Sequence, residues 1–151
     1  MHKLCRLCTL AWAATAASAG WAQTIVAGQA LTFGSFAAGS GGTVTVSAAG
    51  TRSSGGGVVL VSSGPGAAAQ FTVSGNANAT YAITLQGNGE VSLTSGANSM
   101  AVNNFASSPG PTGQIGAGGS QTLMIGATLS VGNNQPPGNY SGTFNVTVTY
   151  N

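Results

Sequence analysis

The feature that most constrains the fold of this chain is its last stretch, in which apolar and polar residues alternate up to the final residue. Every even position from 140 to 150 is apolar or glycine, and every odd position from 139 to 151 is Asn, Ser or Thr. A period of two is that of a β-strand, whose successive side chains point to opposite faces. The buried face of this predicted strand comprises Tyr140, Phe144, Val146, Val148 and Tyr150. Such a strand must be paired, because an exposed hydrophobic strand is a template for aggregation.

The beginning of the chain has a different character and is predicted to be a secretory signal peptide. Its basic first residues precede a run of apolar and small residues from 7 to 20. This run is too short to span a membrane, and no later stretch is long enough. We predict a signal peptide over residues 1–22, cleaved after Ala22 or alternatively after Ala19, and one domain over 23–151. The domain would be exported to the periplasm and then to the cell surface or the medium.

Without the predicted signal peptide, the remaining chain has almost no charge. From Gln23 onwards it has one cation, Arg52, and one anion, Glu90, so its formal net charge is zero. It therefore lacks the basic surface by which proteins bind nucleic acids or anionic membranes. So little charge gives weak protection against association, which favours a protein built into an assembly. Arg52 and Glu90 could form an ion pair, but separate, solvated side chains are the favoured interpretation.

The residues that most enzymes use are missing from the same part of the sequence. From Gln23 onwards there is no His, Cys, Asp or Lys. Nucleophilic catalysis needs a base, and hydrolysis by paired carboxylates needs two acids. Zinc and calcium sites need ligand sets that a single Glu cannot supply. We therefore expect no catalytic activity, no metal and no cofactor.

Short runs of Val, Ile, Leu and Phe, separated by Gly, Ser, Thr and Asn, predict an all-β sandwich of about eight or nine strands. Before the final strand we expect strands at Leu31–Phe36, Thr43–Ser47, Val58–Val61, Ala69–Ser74, Thr80–Leu85, Val91–Leu93, Met100–Val102 and Gln121–Val131. The lead-in from Gln23 to Ala30 is only weakly apolar.

Several connections are also predicted. Residues 49–57 and 103–119 should be loops, the second anchored only by Phe105 and Ile115. Gly87-Asn88-Gly89 should form a hairpin turn, because Gly and Asn tolerate positive φ. The two longest strands, 121–131 and the final one, each have about five inward positions and invite a pairing.

Several separated segments resemble, in order, the bacterial secreted domain-of-unknown-function family 4402. They are residues 69–75, 81–85, 126–131 and 138–144, followed by the terminal Tyr150-Asn151. The likeness covers nearly the whole chain after the predicted signal peptide.

The end of the chain is also similar to that of chaperone–usher pilins, which carry a penultimate Tyr and a Gly fourteenth from the end. Tyr150 and Gly138 hold these places here. In such pilins an immunoglobulin-like sandwich lacks its last strand, and a periplasmic chaperone and then the next subunit's N-terminal strand fill the groove. The resemblance implies a groove bordered by Gly138, Tyr140, Phe144, Val146, Val148 and Tyr150.

The pilin resemblance also names expected partners: neighbouring subunits, a periplasmic chaperone and an outer-membrane usher. The donor-strand candidates are Ile25 and Ala27, which could alternate inward. The extension that carries them is shorter than the one pilins carry, since only residues 23–30 precede the first expected strand.

Three functional hypotheses follow from these patterns. The first is a structural subunit of a bacterial surface fibre, exported and assembled by β-strand complementation. The second is a monomeric secreted β-sandwich for binding or adhesion, with the polar stretch 103–119 as its contact site. The third is an extracellular matrix or amyloid-like protein, because residues 143–150 are uncharged, β-prone and free of Pro. The absence of a short repeat argues against the third.

Overall fold

The computed structural model describes the backbone of residues 4–17 and all atoms of residues 23–151. This part of the chain forms thirteen strands. They are β1 Leu4–Ala17, β2 Thr24–Gln29, β3 Leu31–Ala37, β4 Gly42–Val46, β5 Arg52–Gly56, β6 Val59–Leu60, β7 Ala69–Ser74, β8 Thr80–Leu85, β9 Val91–Ser95, β10 Asn98–Ser108, β11 Thr112–Gln114, β12 Ser120–Val131 and β13 Ser141–Tyr150. The all-β prediction is confirmed. Among the described residues no helix is long and apolar enough to cross a membrane.

The strands form one hydrogen-bonded path that folds over a single core as a β-sandwich. The path runs β2-β7-β12-β10-β9-β13-β1-β3-β6, and β4, β5, β8 and β11 pair at its flanks. Phe71 of β7 meets Phe144 of β13 edge-to-face, with ring centroids 6.3 Å apart. Strands that are far apart along the path therefore pack face to face across the core.

The alternation predicted for β12 and β13 is confirmed, but the prediction that these two strands pair with each other is wrong. β12 pairs with β4, β7 and β10, whereas β13 pairs with β1, β8 and β9. Their inward rows belong to one buried cluster, in which β12 contributes Leu123, Ile125, Ala127, Leu129 and Val131. Two inward rows can therefore share one core without pairing side by side.

Both predicted loops contain strand. β5 lies within residues 49–57 and pairs with β4 from Val46↔Arg52 to Gly42↔Gly56. β10 and β11 occupy much of residues 103–119, where Ile115 is fully buried and Phe105 is partly buried. The parts of β5, β10 and β11 that lie in these two segments are mostly polar or glycine-rich, and their partner strands supply the order that the sequence pattern does not reveal.

The turn at Gly87–Gly89 is present, but it does not close a hairpin. β8 pairs with β11 and β13, whereas β9 pairs with β10 and β13. The two strands that flank the turn thus lie end to end along one edge of β13. Asn103 Oδ1 accepts from Gly89 N at 2.9 Å, and Asn88 Oδ1 accepts from Asn104 N at 2.8 Å, so the turn is fixed to β10.

The strand count exceeds the eight or nine expected because weakly apolar segments are also paired. The lead-in forms β2, which lies at an end of the sheet path against β7. The apolar run at Val58–Val61 is strand only at β6, where Val59 is 59% exposed.

Candidate functional site: the space between β3 and β13

The site predicted around the terminal strand lies along one edge of β13. The opposite edge of β13 is paired with β8 from Val146 to Tyr150 and with β9 at Ser141. Between them, the side chain of Gln86 accepts a hydrogen bond from Asn145 N at 2.6 Å. The remaining edge pairs in parallel with β1, from Thr9↔Ser141 to Ala17↔Thr149.

β3 forms the opposite side of the site. β1 is antiparallel to β3, from Leu4↔Ala37 to Leu10↔Leu31. β3 and β13 therefore stand two strand positions apart, which corresponds to roughly 9–10 Å. We call the space between them, which the backbone of residues 4–17 occupies, the β3–β13 slot. The strand inside it belongs to the segment predicted to be removed on export.

The side chains beneath the slot are apolar and closely packed. Phe144 stacks on Phe105 at 5.3 Å and meets Phe71 at its edge. The buried side chains of the two flanking strands are Leu31, Phe33, Phe36, Ala37, Phe144, Val146, Val148 and Tyr150. The two backbone edges with which β1 pairs thus stand above a hydrophobic floor.

Tyr150 fastens the C-terminal end of β13 to the far end of the sheet. Its hydroxyl donates to Thr24 O at 3.2 Å and lies 3.5 Å from Ser74 O. Its ring lies 6.2 Å from that of Tyr81, whose hydroxyl donates to Gln121 Oε1. Burial raises the pKa of Tyr150, and burial followed by the charge of Tyr150 raises the pKa of Tyr81.

Tyr140 fastens the other end of β13. Its hydroxyl donates to Pro136 O at 2.7 Å and accepts from Gln135 Nε2 at 3.0 Å. Gly138 lies in the same turn, where an added Cβ would stand 2.6 Å from Ser95 Oγ. Gly138 therefore allows the close approach of this turn to β9.

A bulge in β3 shapes its side of the slot. Gly34 has φ 73°, and the β1–β3 register shifts on both sides of its partner Cys8. Arg52 holds the neighbouring backbone by donating to Phe33 O at 3.1 Å, Ser35 O at 3.1 Å and Val61 O at 2.8 Å. Desolvation by burial lowers the pKa of this guanidinium.

Arg52 and Glu90 act separately, as favoured from the sequence, but neither is simply solvated. The carboxylate of Glu90 accepts from Gly87 N at 2.7 Å in the turn after β8. The guanidinium binds only backbone carbonyl groups among its described partners.

The donor-strand candidates lie in β2 and pair within their own chain. Ile25 opposes Val73 and Ala27 opposes Phe71, and both candidates pack against the core. The structure thus brings Tyr140, Phe144, Val146, Val148 and Tyr150 together in one row but places Ile25 and Ala27 in β2, which pairs with β7 at one end of the strand path. The cleavage residue Ala22 lies outside the described residues.

Three features of the site are missing from the sequence reasoning. Nothing predicted a strand within residues 4–17 or the bonding of Arg52 to three carbonyl groups. Gly142 is the third, since a Cβ there would lie 2.4 Å from Ser92 O, so β13 can approach β9 only with glycine. Gly142 interrupts an otherwise bulky apolar row, and that interruption is the available sequence signal.

The described residues along β13 make backbone pairs, apolar contacts and phenol hydrogen bonds. No group of three or more His, Cys, Asp or Glu side chains gathers in the described part of the chain. Tyr81, Tyr140 and Tyr150 place phenol groups in or beside β13, and all three donate hydrogen bonds.

Comparison with known proteins assigns the chain to a family. The profile of the family described as "Domain of unknown function (DUF4402)" matches residues 24–150, which include β2 through β13. A search among curated proteins finds no match. The match covers far more than half of the chain, and the protein therefore belongs to the DUF4402 family.

Proposed function

We propose that this protein is a structural subunit of a bacterial surface fibre whose copies join by donating a β-strand to the β3–β13 slot. The observation that carries the proposal is the position of β1. The strand that completes the sheet between β3 and β13 lies within the predicted signal peptide. Export would remove it and leave two unpaired strand edges above an apolar floor. A strand from another chain can pair with both edges and cover that floor.

The surface of the domain supports assembly. Residues 23–151 carry only Arg52 and Glu90 as charged side chains, and both are engaged with the backbone of their own chain. Little charge repulsion therefore opposes close contact between copies. A non-enzymatic role fits the same composition.

The proposed partners follow from this assembly route. A neighbouring subunit would occupy the slot in the fibre, and a periplasmic chaperone would cover it beforehand, with an outer-membrane usher at the exit. The protein would pass through the periplasm and end at the cell surface.

The experiment that tests this proposal examines material sheared from the native cell surface. Two copies of the chain carrying different C-terminal epitope tags are produced together, and the material is immunoblotted with and without boiling in SDS. Strand sharing predicts a ladder of high-mass species that contain both tags and collapse to one band on boiling. A single monomer band in both lanes, with the protein in the soluble exported fraction, would contradict it.

A monomeric binding or adhesion domain is the second candidate, because β1 closes the sheet within the same chain. If residues 4–17 were retained after export, the slot would already be filled. Mass spectrometry of the exported protein distinguishes the two candidates. A chain that starts at Gln23 favours the fibre subunit, and a chain that keeps residues 4–17 favours the closed monomer.

A further inference from the structure

We propose that residues 4–17 are the first ligand of the β3–β13 slot: they keep it closed until processing, and they still bind the processed chain as a separate peptide. The proposal rests on the proposed function in one respect, the removal of this segment on export. It goes further by naming the strand that the slot accepts and its direction, parallel to β13.

β13 sets the register of this strand. Nine consecutive pairs join the two strands without interruption, from Thr9↔Ser141 to Ala17↔Thr149. On the β3 side the register shifts around Cys8, opposite the Gly34 bulge. Because the register of residues 4–17 is continuous with β13 and shifted with β3, pairing with β13 should set the position and direction of any strand bound in the slot.

The sequence of the segment fits this register. The partners of Gly142, Phe144, Val146 and Val148 are Leu10, Trp12, Ala14 and Ala16. Each of these four positions of β13 is thus matched by an uncharged, apolar residue. No residue from 7 to 17 carries a charge.

The same sequence makes the segment replaceable. Five of its residues from 11 to 17 are alanine. Alanine is a poor strand former and buries little area compared with Val, Ile or Phe. A strand with larger β-branched residues at the same register positions should therefore displace it. The segment is therefore suited to cover the slot at first and to be displaced when a stronger strand arrives.

The first experiment uses the processed chain from the exported fraction, separated from assembled species. The probe is a synthetic peptide of residues 4–17 with Cys5 and Cys8 replaced by Ser. Its Trp12 is the only tryptophan in the mixture, because the chain from Gln23 onwards has none. Binding to the much larger chain should raise the fluorescence anisotropy of Trp12 in a saturable way.

Two control peptides test the register and the direction. A peptide with Ala14→Asp and a peptide of reversed sequence should each bind at least tenfold more weakly, since the first carries a charge opposite Val146 and the second reverses the chain direction. Equal binding of all three peptides, or no saturable binding of the first, would overturn the proposal.

The second experiment needs no open slot and uses the full chain with Cys5→Ser and Cys8→Ser. Ala13→Cys is combined either with Asn145→Cys, its register partner, or with Thr149→Cys, the partner of Ala17. Asn145 and Thr149 are both exposed, so neither change disturbs the core. The mismatched pair is offset by four residues, about 13 Å along the strand, which is beyond the reach of a disulfide. The matched pair should cross-link at least tenfold more, and equal cross-linking would overturn the proposal.

These outcomes are separable from those of the fibre test. A surface ladder without peptide binding or selective cross-linking would leave the fibre proposal standing and remove this one. Peptide binding and selective cross-linking without a ladder would support this proposal and contradict the fibre proposal.

Discussion

At the scale of single residues, the few polar side chains of this domain serve the backbone. Arg52, the one cation after residue 22, donates to carbonyl groups of Phe33, Ser35 and Val61. It thereby fixes the Gly34 bulge, which sets the shape of β3 beside the slot. Gln135 and Tyr140 hold the turn before β13 in a similar way.

Replacing Arg52 should destabilise the domain. Arg52→Met would remove hydrogen bonds from a charged donor to three carbonyl groups, and we expect a loss of about 2–4 kcal/mol in the free energy of unfolding. Arg52→Lys should recover less than half of this loss, because an ammonium group lacks the planar fork of a guanidinium. Urea denaturation measures both variants. A loss below about 0.5 kcal/mol for Arg52→Met would show that solvent replaces these bonds.

Tyr81 and Tyr150 should make stability depend on pH in the alkaline range. Their pKa values are raised in the folded protein, so the folded state holds more protons than the unfolded state above the ordinary tyrosine pKa of about 10. Their contribution is fully present below that pH and is lost as the pH rises through the folded pKa values. Urea denaturation between pH 7 and about pH 11 should show this decline.

The matched variant for this effect is Tyr150→Phe. It removes one phenol and its charge effect on Tyr81 but keeps the ring contact, so the alkaline decline should become shallower. The stability at neutral pH should fall by only about 0.5–1.5 kcal/mol for the lost hydrogen bonds. An unchanged alkaline slope would contradict the assignment to Tyr150.

At the scale of elements, β13 is held on both edges and on one face: its edges are paired with other strands, and its inward face lies in the core. β8 and β9 pair along one edge, β1 pairs along the other, and the inward row is part of the core. The alternation of this strand could be predicted from the sequence, and so could that of β12. The partners of both strands could not, because a period of two indicates a buried face without indicating which strands lie beside it.

A charge on the inward row of β13 should be far more harmful than one on the outward row. Val148 is fully buried and its neighbour Thr149 is exposed. Val148→Asp should cost on the order of 4 kcal/mol by burying an unpaired carboxylate, whereas Thr149→Asp should cost less than about 1 kcal/mol. Soluble yield and urea denaturation compare the two variants. Equal free energies of unfolding for the two variants would contradict the burial of Val148 and the exposure of Thr149.

Gly142 should be intolerant of a side chain although it lies in the apolar row of β13. Gly142→Ala brings a Cβ against the backbone oxygen Ser92 O, so the two strands must separate, at a cost of about 1–3 kcal/mol. Gly118→Ala is the control, because an added Cβ meets nothing within 4 Å there. Thermal unfolding should show a clear loss for the first and little change for the second. Similar melting temperatures would contradict the close approach.

At the scale of the whole molecule, the sheet path is complete only when residues 4–17 are included. β3 and β6 are connected to the remaining strands of the path through β1. The loss of that strand would leave β3 without a partner on one edge, held by β6, by residues 61–67, by Arg52 and by its buried side chains. The region around the slot should therefore be the least protected part of the processed monomer.

Hydrogen exchange should locate this difference. In the full chain, amides of β3 and β13 that face β1 should be protected, and in the processed monomer they should exchange more than about 100-fold faster. Amides shared by β7 and β12 should be protected in both forms, which provides an internal control. Equal protection of β3 and β13 in both forms would show that the slot closes without an added strand.

The sequence by itself determined the class of this fold, the inward rows of β12 and β13 and the near absence of charge after residue 22. These properties depend on residue type and on a spacing of two, which can be read along one chain. Only the tertiary structure decided that β12 and β13 share one core without pairing, that Arg52 binds the bulge of β3, and that residues 4–17 lie between β3 and β13. The physical reason is that strand pairing depends on backbone groups, which every residue except proline presents alike. The choice of partner is therefore made by the packing of the whole core.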